Sequence, residues 1–342
     1  MSDALTALTY PFAAGLLPMP APGRGVFLRA EPGLGSEWTP LLVCQQTFKP
    51  AFDALTARGF QVTIEASGTF DLALVLVSKH KAETLANIAS AWSLLRPGGT
   101  LVCAGGNDVG AASILREVKA AVGDLATASK HHCKVFWATR TADSPPAMAQ
   151  WHQAGRLQRV AATGCQSRPG IYNWDKVDRG SALLAAHLPA DMAGRVADLG
   201  AGWGYLGLEV LKARPGVTAL DLFEAEKLAL DAARANFEGA RVPVGFHWCD
   251  VAAGVPGGYD WVVTNPPFHA GKATDVDLGR AFIASAAKAL VPGGRLVLVA
   301  NRHLPYEAAI DAVLADRRLL AEDGAFKVIT ARSGSACRRS RG

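Results

Sequence analysis

Long apolar runs are missing from this 342-residue chain. Residues 70–77 are typical of the longest, far short of the ~20 needed to span a bilayer. No membrane anchor is expected. Residues 1–20 are apolar but lack a basic start, and Pro11, Pro18 and Pro20 break them. They read as structural, not as a signal peptide. Cysteine is scarce: Cys44, Cys103, Cys133, Cys165, Cys249 and Cys337. None forms a C-x-x-C and none sits at a zinc-finger spacing from histidine. The neighbours His131, His132 and Cys133 have poor geometry for one ion. No metal site is expected, and reduced thiols suit a cytoplasmic protein. Charged residues make up 19% and hydrophobic ones 50%. That balance excludes a disordered chain and supplies two cores. At roughly 150 residues per domain, two domains are expected.

The net charge of +5 is uneven. Residues 1–160 carry 14 Lys and Arg against 11 Asp and Glu; residues 161–342 carry 21 against 19. Four of those 21 are Arg332, Arg338, Arg339 and Arg341 in a Ser/Gly/Arg tail. Positive charge thus lies in the first half and the tail, where an anionic partner would be met.

A weak internal repeat supports two domains. Arg96-Pro-Gly-Gly-Thr-Leu-Val-Cys-Ala-Gly resembles Val291-Pro-Gly-Gly-Arg-Leu-Val-Leu-Val-Ala. Each reads as a helix end, a turn and a buried strand. Upstream, Phe70-Asp-Leu-Ala-Leu-Val resembles Tyr259-Asp-Trp-Val-Val-Thr, each a central parallel strand. Ser144, Pro145 and Pro146 interrupt the pattern, so a boundary is placed there, giving domains 1–150 and 151–342. In the second half, strands at 195–199, 217–223, 243–249, 261–264 and 295–300 alternate with helices at 205–213, 227–237 and 278–290. Such alternation predicts an α/β fold, an open parallel Rossmann-like sheet that binds ligands at the carboxyl ends of its strands.

The strongest ligand signal is Asp198-Leu-Gly-Ala-Gly-Trp-Gly, between a strand and a helix. Gly200, Gly202 and Gly204 let the backbone turn sharply and let a ligand lie against it. The dinucleotide pattern needs a further glycine where Tyr205 stands, which disfavours a nicotinamide oxidoreductase. A carboxylate beside the loop suits a cofactor with a cationic amino-acid end better than a pyrophosphate. S-adenosylmethionine (SAM) has that end and no phosphate. Glu224 closes the next strand, where an acid can accept both ribose hydroxyls; Asp221 is the alternative. Asp250 follows the third strand and could accept from the adenine amine. Each acid alone is an ordinary cap or surface residue; three at successive strand ends beside a glycine loop form a pattern.

Asn265-Pro-Pro-Phe-His follows the fourth strand. The prolines make a rigid turn and remove two donors. Acceptors remain: the Asn265 side-chain oxygen and the Pro266 carbonyl. Together they would grip a planar NH₂ and aim its lone pair at an electrophilic methyl. Phe268 can stack on the base.

These motifs resemble the class I SAM-dependent methyltransferases that act on exocyclic or amide nitrogens. The longer match Asn265-Pro-Pro-Phe-His-Ala-Gly-Lys is similar to the rRNA guanine-N2 methyltransferases, of the small-subunit methyltransferase C type and its large-subunit relative. Residues 169–181, Asn301-Arg-His-Leu-Pro-Tyr and Phe326-Lys-Val match too. The resemblance implies two tandem methyltransferase domains. The first would be degenerate and would help hold RNA; the second would be catalytic. It implies methyl transfer from SAM to the N2 amine of an unpaired or flipped guanosine in rRNA, most plainly small-subunit 16S rRNA. Asn265, Pro266 and Phe268 would be catalytic. Asp198, Gly200, Gly202, Gly204, Glu224, Asp250 and Asn265 would bind the cofactor, and Tyr172 would cover it. No strong base is needed, because the methylated amine is acidic; His269 is read as a packing or RNA-contact residue.

In the first half, Leu41-Leu-Val-Cys-Gln-Gln-Thr-Phe-Lys-Pro is expected in place of the glycine loop, and Ser78-Lys-His-Lys in place of Asn-Pro-Pro-Phe. The latter are donors, able to meet phosphate. Lys130-His-His-Cys-Lys is a second basic spot or simply a solvated strand entry. The partner is expected to be rRNA or a ribosomal subunit, and the chain a monomer that is its own pseudo-dimer. Alternatives are a large-subunit rRNA target, a DNA adenine-N6 or protein glutamine-N5 target, and a non-catalytic RNA-binding assembly factor.

Overall fold

The structure, a computed structural model, describes residues 2–267 and 276–334 in full and the backbone of 273–275. The chain divides into two compact units. The first comprises Met1–Leu157 with Arg168–Gly170, and the second Gln158–Ser167 with Ile171–Gly342. The expected break at 150 falls inside a helix, Pro146–Ala154, that belongs to the first unit. The two prolines start that helix, where a missing N–H costs nothing, and do not end a domain.

In the first unit the strands are β1 (Gly25–Leu28), β2 (Leu42–Gln45), β3 (Gln61–Thr63), β4 (Phe70–Leu76), β5 (Leu95–Gly106), β6 (Ala126–Lys130) and β7 (Cys133–Thr139). The helices are α1 (Asp3–Ala13), α2 (Lys49–Ala57), α3 (Lys81–Leu94), α4 (Ala111–Val122) and α5 (Pro146–Ala154). The sheet runs β3-β2-β1-β4-β5-β7-β6. Ala73, Leu74 and Val75 of β4 are fully buried between two cores. A strand covered on both faces reads as a continuous apolar run, as it does here.

A short hairpin of β8 (Gln158–Arg159) and β9 (Gln166–Ser167) opens the second unit. There follow α6 (Arg179–Ala186), β10 (Gly194–Leu199), α7 (Tyr205–Ala213), β11 (Val217–Glu224), α8 (Lys227–Asn236), β12 (Val244–Trp248), β13 (Tyr259–Thr264), α9 (Ala273–Ala289), β14 (Leu290–Asn301), α10 (Tyr306–Asp311), β15 (Ala315–Glu322) and β16 (Phe326–Arg332). The sheet order, β12-β11-β10-β13-β14-β16-β15, repeats the first. Strands β10 to β14 are parallel, as expected. β16 runs antiparallel to both β14 and β15. The connection from β15 to β16 is too short for a crossover helix, so only a hairpin can form there. Among the described residues no helix is long and apolar enough to cross a membrane.

Strand register corrects two expectations about the first half. Central β1 pairs with β2 and β4 as β10 pairs with β11 and β13. Leu28 faces Gln45 and Val75; Leu199 faces Phe223 and Thr264. The counterpart of the glycine loop is therefore the segment from Arg29, not residues 41–50, which form the second strand. Phe27 stands where the second unit has Asp198, Gln46 where it has Glu224, and Leu76 where it has Asn265. Residues 76–79, not 78–81, replace Asn-Pro-Pro-Phe. The first-unit loop holds Gly33 and Gly35, but not the alternating triplet of the second. It is closed instead by its own side chains. Arg29 reaches Glu83 at 3.5 Å and also bonds Thr47. Of the two basic spots, Lys81 pairs with Glu117 at 2.6 Å. His131 and His132 make the β6–β7 turn, with φ of 48° and 57°, the left-handed pair that a two-residue hairpin needs.

Candidate active site

The carboxyl ends of β10, β11 and β13 converge around the segment 200–204. Thr264 Oγ1 donates to the Leu199 carbonyl at 2.7 Å and is fully buried. That bond ties the end of β13, and so Asn265, to the start of the glycine loop. The amides of Gly200 and Ala201 donate to the Phe223 carbonyl at 2.8 and 3.1 Å, folding the loop over β11.

Gly200, Gly202 and Gly204 all have positive φ: 76°, 57° and 94°. They do so for different ends. A Cβ on Gly204 would lie 2.6 Å from the Phe237 ring, so this glycine lets the start of α7 sit against Phe237 and Ala233. A Cβ on Gly202 would meet nothing within 4 Å. Gly202 is the one of the two whose open face can be lined by a ligand. Its amide donates to Glu224 Oε2 at 2.7 Å.

Asp198 has no exposed surface. Its Oδ2 accepts from the Gly207 amide of α7 at 3.1 Å, and its Oδ1 has no partner among the described residues. Burial pushes its pKa up to about 7, opposed by the Gly207 amide and reinforced by the charge of Glu224. Glu224 ends β11, and its Oε1 accepts from the Glu226 amide at 2.8 Å. Burial raises its pKa too, and the amides of Glu226 and Gly202 oppose the rise. Asp221 faces elsewhere: it accepts from Tyr259 at 3.0 Å and pairs with His247 at 2.8 Å. Asp250 caps the short turn Val251–Ala253 through the Ala252 amide at 2.9 Å.

Asn265 is half-buried and Pro266 buried. Asn265 Nδ2 donates to Asp178 Oδ2 and to Ser181 Oγ, both at 2.8 Å. Its Oδ1 is buried and has no partner among the described residues. Tyr172 is 62% exposed, and its hydroxyl donates to Asp178 Oδ1 at 3.3 Å. Burial, then the charge of Asp178, raises the Tyr172 pKa. Phe268, His269 and Lys272 lie outside the described residues.

Three contributors escaped the sequence reading. Asp178 caps α6 by accepting from the Ser181 amide at 2.9 Å, and a polar cap three residues before Ser181 was a visible helix-start signal. Ser181 is buried beneath Asn265. Trp203, also buried, donates from Nε1 to the Asn173 carbonyl at 3.4 Å and packs with Ile171, Ala229 and Ala232. It fastens residues 171–174 to the loop. Nothing in its spacing marked it.

Two family models match the chain: the Methyltransferase small domain over residues 163–330 and the Methyltransferase small domain N-terminal over 39–154. The Ribosomal RNA small subunit methyltransferase C of Psychromonas ingrahamii is 30% identical over 286 residues, 81% of each chain. That of Pseudomonas aeruginosa strain UCBPP-PA14 is 32% identical over 275 residues, 78% of this chain and 80% of its own. This chain belongs to the ribosomal RNA small subunit methyltransferase C family. Another member of that family, the T. thermophilus 16S rRNA N2 G1207 methyltransferase, was solved with AdoMet and guanosine. It superposes with a TM-score of 0.80 at 25% identity, over 97% of this chain and 92% of its own. The family likeness therefore spans both units, including the first, which lacks the acids and the asparagine of the second.

Proposed function

We propose that this chain transfers a methyl group from SAM to the exocyclic N2 amine of a guanosine in 16S rRNA. One observation carries the reading. Two buried acceptors, Asp198 Oδ1 and Asn265 Oδ1, have no partner among the described residues at the ends of adjacent strands β10 and β13. A buried polar atom without a partner costs about 1–3 kcal/mol. The cost is recovered when a cationic ammonium reaches the one and an amine N–H the other. These acceptors fit SAM and an amine substrate, and SAM supplies an electrophilic methyl on sulfonium sulfur when bound.

Asp198 carries the negative charge opposite the ammonium. Glu224 offers its remaining lone pairs to the ribose hydroxyls, and the second oxygen of Asp250 is left for the adenine amine. Tyr172, on the segment held by Trp203, covers the cofactor. Asn265 Oδ1 and the Pro266 carbonyl accept the two amine hydrogens, which turns the nitrogen lone pair toward the methyl. Phe268 stacks on the base. The N–C bond forms as the S–C bond breaks, and the charged amine then loses a proton to water. Asn265 thus works by orientation, which is worth several orders of magnitude in rate. The first unit and the tail arginines hold RNA through phosphate contacts, the reaction takes place in the cytoplasm, and the chain acts as a monomer.

The test is transfer of labelled methyl from SAM to unmodified small ribosomal subunits and to naked 16S rRNA, followed by digestion to nucleosides. N2-methylguanosine as the labelled product supports the reading. A different labelled nucleoside, or none with either substrate, overturns it.

A further inference from the structure

We infer that Asp178 and Ser181 are positioning residues that lock the Asn265 amide with its oxygen toward the substrate amine. The inference rests on the function proposed above and adds how the site chooses its chemistry. A carboxamide can present its oxygen or its NH₂ by a half-turn, because the two ends are nearly the same size. What decides is the set of partners. On one side of Asn265 lie Asp178 Oδ2 and Ser181 Oγ, each 2.8 Å from Nδ2. An ionised carboxylate only accepts, so the NH₂ must face it. Both amide hydrogens are then spent, and Oδ1 is left buried on the other side, with no partner among the described residues.

Asp178 is itself held by four donors. Its Oδ2 accepts from Asn265 and from the Ser181 amide at 2.9 Å. Its Oδ1 accepts from Asn173 Nδ2 at 3.0 Å and from the Tyr172 hydroxyl at 3.3 Å. Four donors leave the carboxylate little freedom to turn, and Ser181 is anchored in the first turn of α6. The orientation of Asn265 is therefore set before substrate arrives. A base offering an NH₂ finds an acceptor, while a base offering a carbonyl at that point meets acceptor against acceptor and leaves both unpaired. The same contact explains why the position holds Asn and not Asp: a carboxylate at 265 would face Asp178 across 2.8 Å with no proton between them.

The experiment uses the full chain, SAM and unmodified small subunits, with single-turnover rates, KM for RNA and SAM affinity by calorimetry. Ser181→Ala should lower the methyl-transfer rate about threefold to tenfold, with SAM affinity and melting temperature unchanged. Ser181→Thr, which keeps the hydroxyl, should restore it. Asp178→Ala should lower the rate about 10- to 100-fold. In an Asn265→Ala background, Ser181→Ala should cost less than about twofold more, because a hydroxyl acting through Asn265 has nothing left to position. Asp178→Ala should still cost something there, since Asp178 also caps α6 and holds Tyr172. A loss that multiplies in the Ser181→Ala, Asn265→Ala double variant, or a Ser181→Ala enzyme with full rate, overturns the inference. If Asp178→Ala fails to fold, the Ala and Thr variants of Ser181 decide alone. Wild-type protein that labels no guanosine would instead overturn the function proposed above.

Discussion

The two units share one fold, strand for strand, and differ at the strand ends. β1 ends in Phe27 and Leu28 where β10 ends in Asp198 and Leu199. After β2 comes Gln46; at the end of β11 is Glu224. Gln46 Oε1 accepts from the Thr47 and Phe48 amides at 2.7 and 2.8 Å, much as Glu224 Oε1 accepts from Glu226. The turns differ at the other side-chain atom: Gln46 Nε2 donates to the Ala30 carbonyl at 2.8 Å, whereas Glu224 Oε2 accepts from the Gly202 amide at 2.7 Å and holds the glycine loop. In the first unit Phe27, Gln46 and Leu76 leave no buried acceptor waiting at the strand ends, and Arg29 with Glu83 closes the loop. In the second, Asp198 and Asn265 each keep a buried oxygen unpaired among the described residues. Buried strands are common to both units; the polar groups to which we assign the chemistry stand at the strand ends of the second alone.

The comparison breaks most sharply at Asn265. Asn265→Ala should lower methyl transfer to the small subunit roughly 100-fold or more, while SAM affinity measured by calorimetry changes little. An equal loss of affinity would mean that Asn265 holds the cofactor and not the amine. Glu224→Gln makes the second unit resemble the first at Gln46. Its NH₂ cannot accept from the Gly202 amide, so the glycine loop should loosen, and SAM should bind about 10- to 100-fold more weakly, the usual worth of a hydrogen bond to a charged group.

The pH dependence tests Asp198 more gently. In the free protein its pKa is about 7, and a neighbouring ammonium would lower it. Binding then releases a proton, so SAM affinity should rise about tenfold from about pH 6 to about pH 8 and level off above. Asp198→Asn should flatten that profile. Stability of the free protein should move the other way. The folded state holds the Asp198 proton longer than the unfolded chain, so folding weakens from about pH 4 to about pH 7. Chemical unfolding at several pH values reads this. The smallest effect is expected in the first unit. Arg29→Gly removes the side chain that closes its loop and leaves Glu83 without that partner, costing about 1–3 kcal/mol. Titration calorimetry should still find one SAM per chain, since Phe27, Gln46 and Leu76 remain.

Much of the catalytic unit was legible in the amino-acid sequence. Its strand and helix alternation, the glycine turn and the acids at strand ends are local signals: hydrophobic period, backbone freedom, charge at a boundary. α7 was read to the residue, and Asp198, Glu224 and Asn265 stand at the strand ends where the pattern put them. Local signals failed where two distant pieces of chain decide the outcome. The first unit's loop was assigned one strand too late, because without a glycine signature only the pairing of β1 with both β2 and β4 identifies the central strand. Gly202 and Gly204 look alike in sequence, yet one faces open space and the other Phe237. Asp178 and Asn265 are 87 residues apart, and no spacing rule connects them. Composition and periodicity are properties of neighbours along the chain, and they settled the fold class and the chemical type of the site. Which oxygen stays unpaired depends on what the folded chain brings within 3 Å, and only the tertiary structure decides that.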